Sequence, residues 1–229
     1  MTEDIHIFDN GVKVYKSYLI PVQLNRYKKN NIHEPEEEPL FIDMINSMTE
    51  QDCFINIGSA IGYYVILARI INKNITICGI NPHPKFINQM NKCLELNNIN
   101  NIILEKSAVT TEPNKNIYLG DDYGSKITSN KIPNQILVKG KTLENIVNDN
   151  NLLSKSLYIQ MDIQGIEYEI ISNLSKKLLL QIKYFIIGTH SLKIHNDCKK
   201  WCISNNFFII TDNYYTKNQP DGILVVKKL

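Results

Sequence analysis

Residues Phe54–Ala68 read F-I-N-I-G-S-A-I-G-Y-Y-V-I-L-A, and their order decides the fold. Phe54, Ile55 and Ile57 predict a short buried strand, and Gly58 and Gly62 predict a tight turn. Ile61, Val65, Ala68, Ile70 and Ile71 supply the apolar face of a following helix. Glycine lets a chain turn sharply and come close to a ligand, and a helix N-terminus presents N–H groups with no intrahelical partner. Strand, glycine turn and helix in this order form a nucleotide-type corner at the carboxyl end of a first parallel strand. The spacing is G-x-x-x-G and not the G-x-G-x-x-G of dinucleotide folds, and a plain strand-to-helix corner has the same outline.

Working outward, Ile75–Ile80, Ile102–Leu104, Leu157–Asp162 and Ile182–Ile187 read as further buried strands. They alternate with helical patterns at Lys85–Asn97, from Thr142, at Glu167–Leu174 and at 194–205. That alternation predicts one α/β domain, a parallel sheet covered on both faces. Phe207–Thr211 and Ile223–Lys227 predict an antiparallel pair at the C-terminus. Ahead of the domain, Asn10-Gly11 between alternating apolar residues predicts a hairpin, a small N-terminal β-arm within residues 1–38. Residues 24–39 are polar, with Pro35 and Pro39 excluding a helix interior, and Glu34, Glu36, Glu37 and Glu38 read as a solvated helix start. The domain proper is expected in residues 39–229, whose first helix runs from Pro39 to Met48. Residues 110–135 read as a less regular insertion with one strand at 117–119.

The chain has 229 residues, 43% hydrophobic and 21% charged, with a net charge of +2, which describes an ordinary globular protein. Its lysines are scattered, so nucleic acid and anionic membrane surfaces are not the expected partners. No apolar run approaches the roughly 20 residues of a membrane span. M-T-E-D-I-H does not resemble a signal peptide, and five cysteines without paired spacing fit a reducing compartment, so a cytoplasmic protein is expected. His195, Cys198 and Cys202 share a helical face but lack a fourth ligand for zinc. Asp162 with Asp221 could in principle hold Mg²⁺, but two carboxylates so distant in sequence make a thin case, and no required metal is expected.

In such a sheet, ligands sit beyond the carboxyl ends of the strands. The polar residues there are Asn56, Asn81, Ser107, Asp162 and His190, any one of which can equally be a turn former or cap. The segments F-I-N-I-G-S-A-I-G-Y-Y, G-I-N-P-H-P, S-A-V, T-L-E-N-I and Y-I-Q-M-D-I-Q-G-I-E-Y-E, in this order, resemble the FkbM family of S-adenosylmethionine-dependent methyltransferases. The resemblance runs from about Leu40 to the C-terminus, and M-D-I-Q-G-I-E, similar to the family's K-I-D-V-E-G-x-E, is its most specific part. I-G-T-H-S, P-D-G and the leading H-E-P-E-E-E are similar to one branch of that family.

The resemblance implies a class I methyltransferase fold: a Rossmann-like, mostly parallel sheet with an antiparallel C-terminal strand and helices on both faces. It implies S-adenosylmethionine over Gly58, Ser59, Gly62 and Tyr63, Asn81 at the ribose, and Ser107 and Ala108 beside the adenine. Glu37 is the implied partner of the cofactor's amino group, and Asp162 lies near the sulfonium. The family usually carries an acid where this chain has Asn56 and another where it has Asn81. Exchanging a charge-assisted bond for a neutral one there costs about 1–2 kcal/mol, roughly 5- to 30-fold in affinity. The expected reaction is O-methylation of a hydroxyl on a small molecule or glycan. His190 and Asp162 are the candidates to take the proton, and Asp221, Tyr123 and Ser125 are the candidates to touch substrate. The alternatives are a catalytically silent protein of the same fold that binds cofactor or partner only, and an NAD(P)-dependent oxidoreductase; on any of these readings the chain is open to homo-oligomerisation. The missing G-x-G-x-x-G and the absence of an acid at Asn81 weigh against the oxidoreductase.

Overall fold

The computed structural model describes residues 4–120, 135–219 and 221–228. The chain enters through the antiparallel hairpin β1 (Ile5–Ile7) and β2 (Lys13–Tyr15), closed at Gly11, whose φ is +87°. Helices α1 (Pro21–Tyr27) and α2 (Glu38–Asn46) follow. The domain then runs β3 (Asp52–Ile57), α3 (Tyr63–Ile71), β4 (Thr76–Ile80), α4 (Pro84–Leu96) and β5 (Ile103–Glu105). A side sheet is built from β6 (Ala108–Val109), β7 (Asn116–Leu119) and β8 (Ile136–Lys141). The second half comprises α5 (Leu143–Asp149), β9 (Ser156–Met161), α6 (Glu167–Ser172), α7 (Lys176–Gln181), β10 (Ile182–Thr189), α8 (Leu192–Ser204), β11 (Phe208–Asn213) and β12 (Gly222–Lys227).

The main sheet has seven strands in the order β11-β12-β10-β9-β3-β4-β5. Only β12 is reversed: it pairs antiparallel with both β10 and β11, while β10, β9, β3, β4 and β5 pair in parallel. The strand order reverses direction between β3 and β9, the topological switch point where open α/β sheets bind ligands. The expected α/β class, mostly parallel sheet and antiparallel C-terminal strand are all present.

Strand residues alternate between two buried layers, as a pleat covered on both faces requires. Phe54, Ile77 and Ile186 face a layer formed with α2, α3, α4 and the N-terminal segment. Ile55, Ile57, Ile159 and Phe185 face the layer under α5–α8. Phe8, Val12, Val14 and Tyr27 belong to the first layer, so the N-terminal arm shares the domain's core. Asn97 clips it in place: its side chain accepts from Lys13 N at 3.0 Å and donates to Lys13 O at 2.7 Å.

Several sequence expectations need correction. Residues 21–27 form a helix that the polar pattern concealed. Pro21 opens it, and the Gln23 side chain accepts from Ile20 N at 3.1 Å, which stabilises the first turn. The glutamates before α2 are not a solvated start, since Glu37 and Glu38 are 3% and 5% exposed. Val65 and Ala68 are buried as expected, but Ile70 is 40% exposed, and Tyr63, Tyr64, Ile66 and Leu67 join the buried face of α3. No helix among the described residues is long and apolar enough to cross a membrane, and all five cysteines are free and buried.

The turn after β3 is set by contact rather than by chain flexibility. Gly58 has φ +91°, and a Cβ there would sit 2.0 Å from the carbonyl oxygen of Asp162. Asp162 N in turn donates to Ile57 O at 3.0 Å, so the two strand ends are locked together. Gly62, with φ +88°, has Met90 Cγ only 2.6 Å from where a Cβ would be. Gly58→Ala adds a left-handed strain of about 1–2 kcal/mol to an overpacking cost of about 1–3 kcal/mol. Urea unfolding of this variant is expected to show a loss of more than about 2 kcal/mol. A change within about 0.5 kcal/mol, the range of an ordinary surface substitution, would contradict the assigned contact.

Candidate active site

A cleft opens at the switch point, between the turn after β3, the end of β9 and the N-terminal segment. Glu34, Asn56, Gly58, Ser59, Tyr64 and Asp162 are on its wall, with Gln23, His33 and Tyr63 toward the N-terminal side. No lysine or arginine lines it among the described residues.

The turn itself is tied into the sheet. Gly58 N and Ser59 N both donate to Ile80 O, at 3.1 and 3.0 Å, and Gly62 N donates to Ser59 O at 2.7 Å. The Ser59 hydroxyl donates to backbone carbonyls of Asn56 (2.8 Å) and Ile80 (3.2 Å), so it holds the turn. The N–H groups of Ala60 and Ile61 have no partner among the described residues and are free for a ligand. Gly58, Ser59 and Tyr63, three of the residues expected at the cofactor, line the cleft together with Ala60 and Ile61.

Carboxylates enter the cleft from the N-terminal segment. The Tyr64 hydroxyl donates to Glu34 Oε2 at 2.7 Å. Burial raises the pKa of Glu34, and this hydrogen bond opposes the shift. Glu37 stands behind the wall, accepting from Gln160 Nε2 at 2.6 Å, while Asn56 Nδ2 donates to Gln160 Oε1. Burial first, then the charges of Glu34 and Asp162, push the Glu37 carboxyl well above its ordinary range. Glu34, missed by sequence reasoning, therefore faces the cleft where Glu37 was expected. Tyr63 donates to Glu38 Oε2 at 2.5 Å and accepts from Asn10 Nδ2 at 2.6 Å, which anchors the hairpin to the site.

The other expected positions are distributed along the strand ends. Asn81 is 7% exposed, and its Oδ1 accepts from His83 N at 2.9 Å, an Asx turn leading into α4. Ser107 is 2% exposed, with an Oγ that has no hydrogen-bond partner among the described residues. Ala108 is packed with Ile117 and Leu119 in the core of the side sheet. Tyr123 and Ser125 lie outside the described residues.

Asp162, His190 and Asp221 converge at the ends of β9 and β10 and the start of β12. His190 Nε2 is 3.4 Å from Asp162 Oδ1 and 3.3 Å from Asp221 Oδ1. Its Nδ1 donates to Oε1 of Glu167 at 2.5 Å, and Gly165 N donates to the same oxygen at 3.1 Å. Glu167 is fully buried, a role that its place at the start of a helix did not reveal. Burial alone would lower the pKa of His190, but the bond to Glu167 and the three surrounding carboxylates outweigh it and raise it. Asp162 is pushed up to about 7, first by desolvation and then by Glu34. Its side chain is still 41% exposed, so water softens that push.

His195 belongs to a different cluster. Its Nδ1 is 2.8 Å from the Thr189 hydroxyl and its Nε2 2.8 Å from Asp212, while Cys198 and Cys202 are fully buried in the core. Cys198 and Cys202 of the helical His-Cys-Cys face pack into the core, and His195 is held by Thr189 and Asp212.

No protein-family model matches the chain, and no curated protein matches it in sequence. Solved structures match it in shape. A precorrin-6y C5,15-methyltransferase from Geobacter metallireducens superposes with a TM-score of 0.57 at 12% identity, covering 98% of each chain. The chain has the class I methyltransferase fold. Magnesium protoporphyrin IX methyltransferase from Synechocystis, solved with bound SAM, gives 0.53 over 92% of this chain and 86% of its own, at 12% identity. An rRNA methylase from Streptococcus thermophilus gives 0.53 over 83% of this chain and 95% of its own, at 9% identity.

His33 roofs the cleft as a neutral group. Its Nδ1 is 2.5 Å from the Tyr27 hydroxyl and its ring lies 4.3 Å from that of Tyr63. Burial lowers its pKa to about 3 from 6.5. The unfolded chain therefore binds more protons than the folded one between those values, and stability drops as pH falls below about 6.5. Between pH 7.5 and 5.5 this group should remove about 1–1.5 kcal/mol of stability. Denaturation of wild type and His33→Gln at both pH values checks it, since the extra acid loss must vanish in the variant. Equal losses would show that His33 is not held neutral.

Proposed function

We propose that the protein is an S-adenosylmethionine-dependent methyltransferase that acts on a hydroxyl of a small molecule or glycan. The observation that carries this reading is a cleft at the switch point whose wall bears Glu34 and Asp162 and no cationic side chain among the described residues. Two carboxylates in a partly desolvated cleft favour a cationic ligand and repel the pyrophosphate of a dinucleotide. S-adenosylmethionine, when bound, supplies a methyl group on a positively charged sulfur and also carries an ammonium. Glu34 fits the ammonium, and the N–H groups of Ala60 and Ile61 fit the carboxylate. Asn56, which lines the cleft, and Asn81 at the end of β4 are the nearest polar groups along the two strand ends for the ribose side. Ser107, with its unpartnered buried hydroxyl, fits a polar edge of the adenine. These assignments move the amino-group partner from Glu37 to Glu34, with Glu37 holding Gln160 in place behind it.

Asp162 lines the cleft at the end of β9, and in this reading it faces the methyl acceptor. His190 and Asp221 stand directly behind it, and these three are the groups placed to activate an acceptor hydroxyl. Most of the rate in such a reaction comes from holding the acceptor in line, with proton handling adding a further ~10²–10⁴. The FkbM reading rests on the motif order around Gly58, Asn81, Thr142 and Asp162, and the hydroxyl acceptor rests on that reading.

Isothermal titration with S-adenosylhomocysteine, with NAD as comparator, tests the proposal. Wild type is expected to bind S-adenosylhomocysteine and not NAD. Glu34→Gln removes a charge-assisted bond of about 1.5–3 kcal/mol, so binding should weaken roughly 10- to 150-fold. Binding of NAD in place of S-adenosylhomocysteine, or an unchanged affinity in Glu34→Gln, would overturn the assignment.

A further inference from the structure

We infer that Asp162, His190 and Asp221 form a binding site for one divalent first-row transition-metal ion beside the cleft. The inference deepens the proposed function and rests on it for the role of the ion, though not for its binding.

Three observations converge. One donor atom from each of the three residues lies within 4.8 Å of the others. The two separations from His190 Nε2, 3.3 and 3.4 Å, match donors sharing one ion. With bonds of about 2.1 Å, neighbouring ligands stand about 3.0 Å apart in octahedral and about 3.4 Å apart in tetrahedral geometry. Neither Nε2 of His190 nor Oδ1 of Asp162 makes a hydrogen bond, although both are shielded from solvent. Two buried polar atoms facing each other without a hydrogen bond point to a shared third partner.

The surroundings supply the remaining features of a ligand set. Glu167, fully buried, accepts from Nδ1 of His190, which places the proton on that nitrogen and turns the Nε2 lone pair toward the two aspartates. That carboxylate–imidazole pairing is the usual support behind a metal-ligating histidine. Charge points the same way: Asp162, Glu167 and Asp221 surround one imidazole and have no lysine or arginine partner among the described residues. One imidazole nitrogen with two carboxylates suits a transition ion better than Mg²⁺, which prefers oxygen donors alone. Three protein ligands leave coordination positions open, and Asp162 is on the cleft wall. An ion held there binds the acceptor's hydroxyl oxygen and lowers its pKa, so that the proton passes to solvent water. His190 then acts as a ligand and not as the base that the sequence suggested.

The test is titration of Mn²⁺ into metal-stripped full-length protein, followed by calorimetry and electron paramagnetic resonance, with no cofactor present. Wild type is expected to bind one Mn²⁺ per chain, with spin-echo modulation from one bound imidazole nitrogen. Asp221→Asn and His190→Ala should weaken binding at least tenfold, and Glu167→Gln by roughly 10- to 100-fold. Asp212→Asn, in the separate His195 cluster, should leave it unchanged. Circular dichroism establishes that each variant is folded. Absent saturable binding by wild type, absent nitrogen modulation, or equal binding by wild type and folded Asp221→Asn would overturn the inference. Mn²⁺ binding without S-adenosylhomocysteine binding would instead count against the proposed function alone, and the converse against the metal site alone.

Discussion

The site depends on the contact between Gly58 and the backbone of Asp162. The Asp162 carbonyl occupies the space that a side chain at residue 58 would fill, and Asp162 N bonds to Ile57 O. Because β3 and β9 flank the point where strand order reverses, this contact sets the distance between the two halves of the sheet at their carboxyl ends. It places the turn's free N–H groups on one side of the cleft and the Asp162 carboxylate on the other. The glycine answers first to chain packing, and the room it leaves for a ligand follows from that packing.

Electrostatics give the site its sign. A domain with a net charge of +2 concentrates Glu34, Glu37, Asp162, Glu167 and Asp221 around one cleft. Two of these carboxylates arrive on the N-terminal segment, which reaches the site because the hairpin and α1 share the core of the domain. Their hydrogen-bond donors are neutral: Tyr64 for Glu34, Gln160 for Glu37. Burying several acids around one cleft is costly, and an arrangement that tolerates it is the kind expected where charge is supplied by ligands. The organic cation proposed for the Glu34 end and the metal ion inferred at the His190 end answer the same imbalance.

The architecture was legible because the central strands are continuous apolar runs, the pattern a sheet covered on both faces imposes. The hairpin was legible from Asn10-Gly11, and the C-terminal reversal from two short strands with a turn between them. Helices α1 and α7 were not, since each is short and lacks an apolar stripe: α1 buries Gln23 and Tyr27, and α7 buries only Leu178. The site was legible as a set of strand ends, which brought Asp162, His190 and Asp221 forward separately. Their convergence was not, because it depends on β12 inserting beside β10. Glu34 and Glu167 were overlooked for a related reason. A glutamate beside a helix start usually faces water, and only the tertiary neighbours Tyr64 and His190 reveal that these two do not.

The most direct measurement is a crystal structure of the protein with S-adenosylhomocysteine. The ligand is expected across the ends of β3 and β4, its ammonium on Glu34, its carboxylate on the N–H groups of Ala60 and Ile61, and its sulfur facing Asp162. A ligand bound elsewhere, or bound here with its ammonium turned away from Glu34, would contradict that placement.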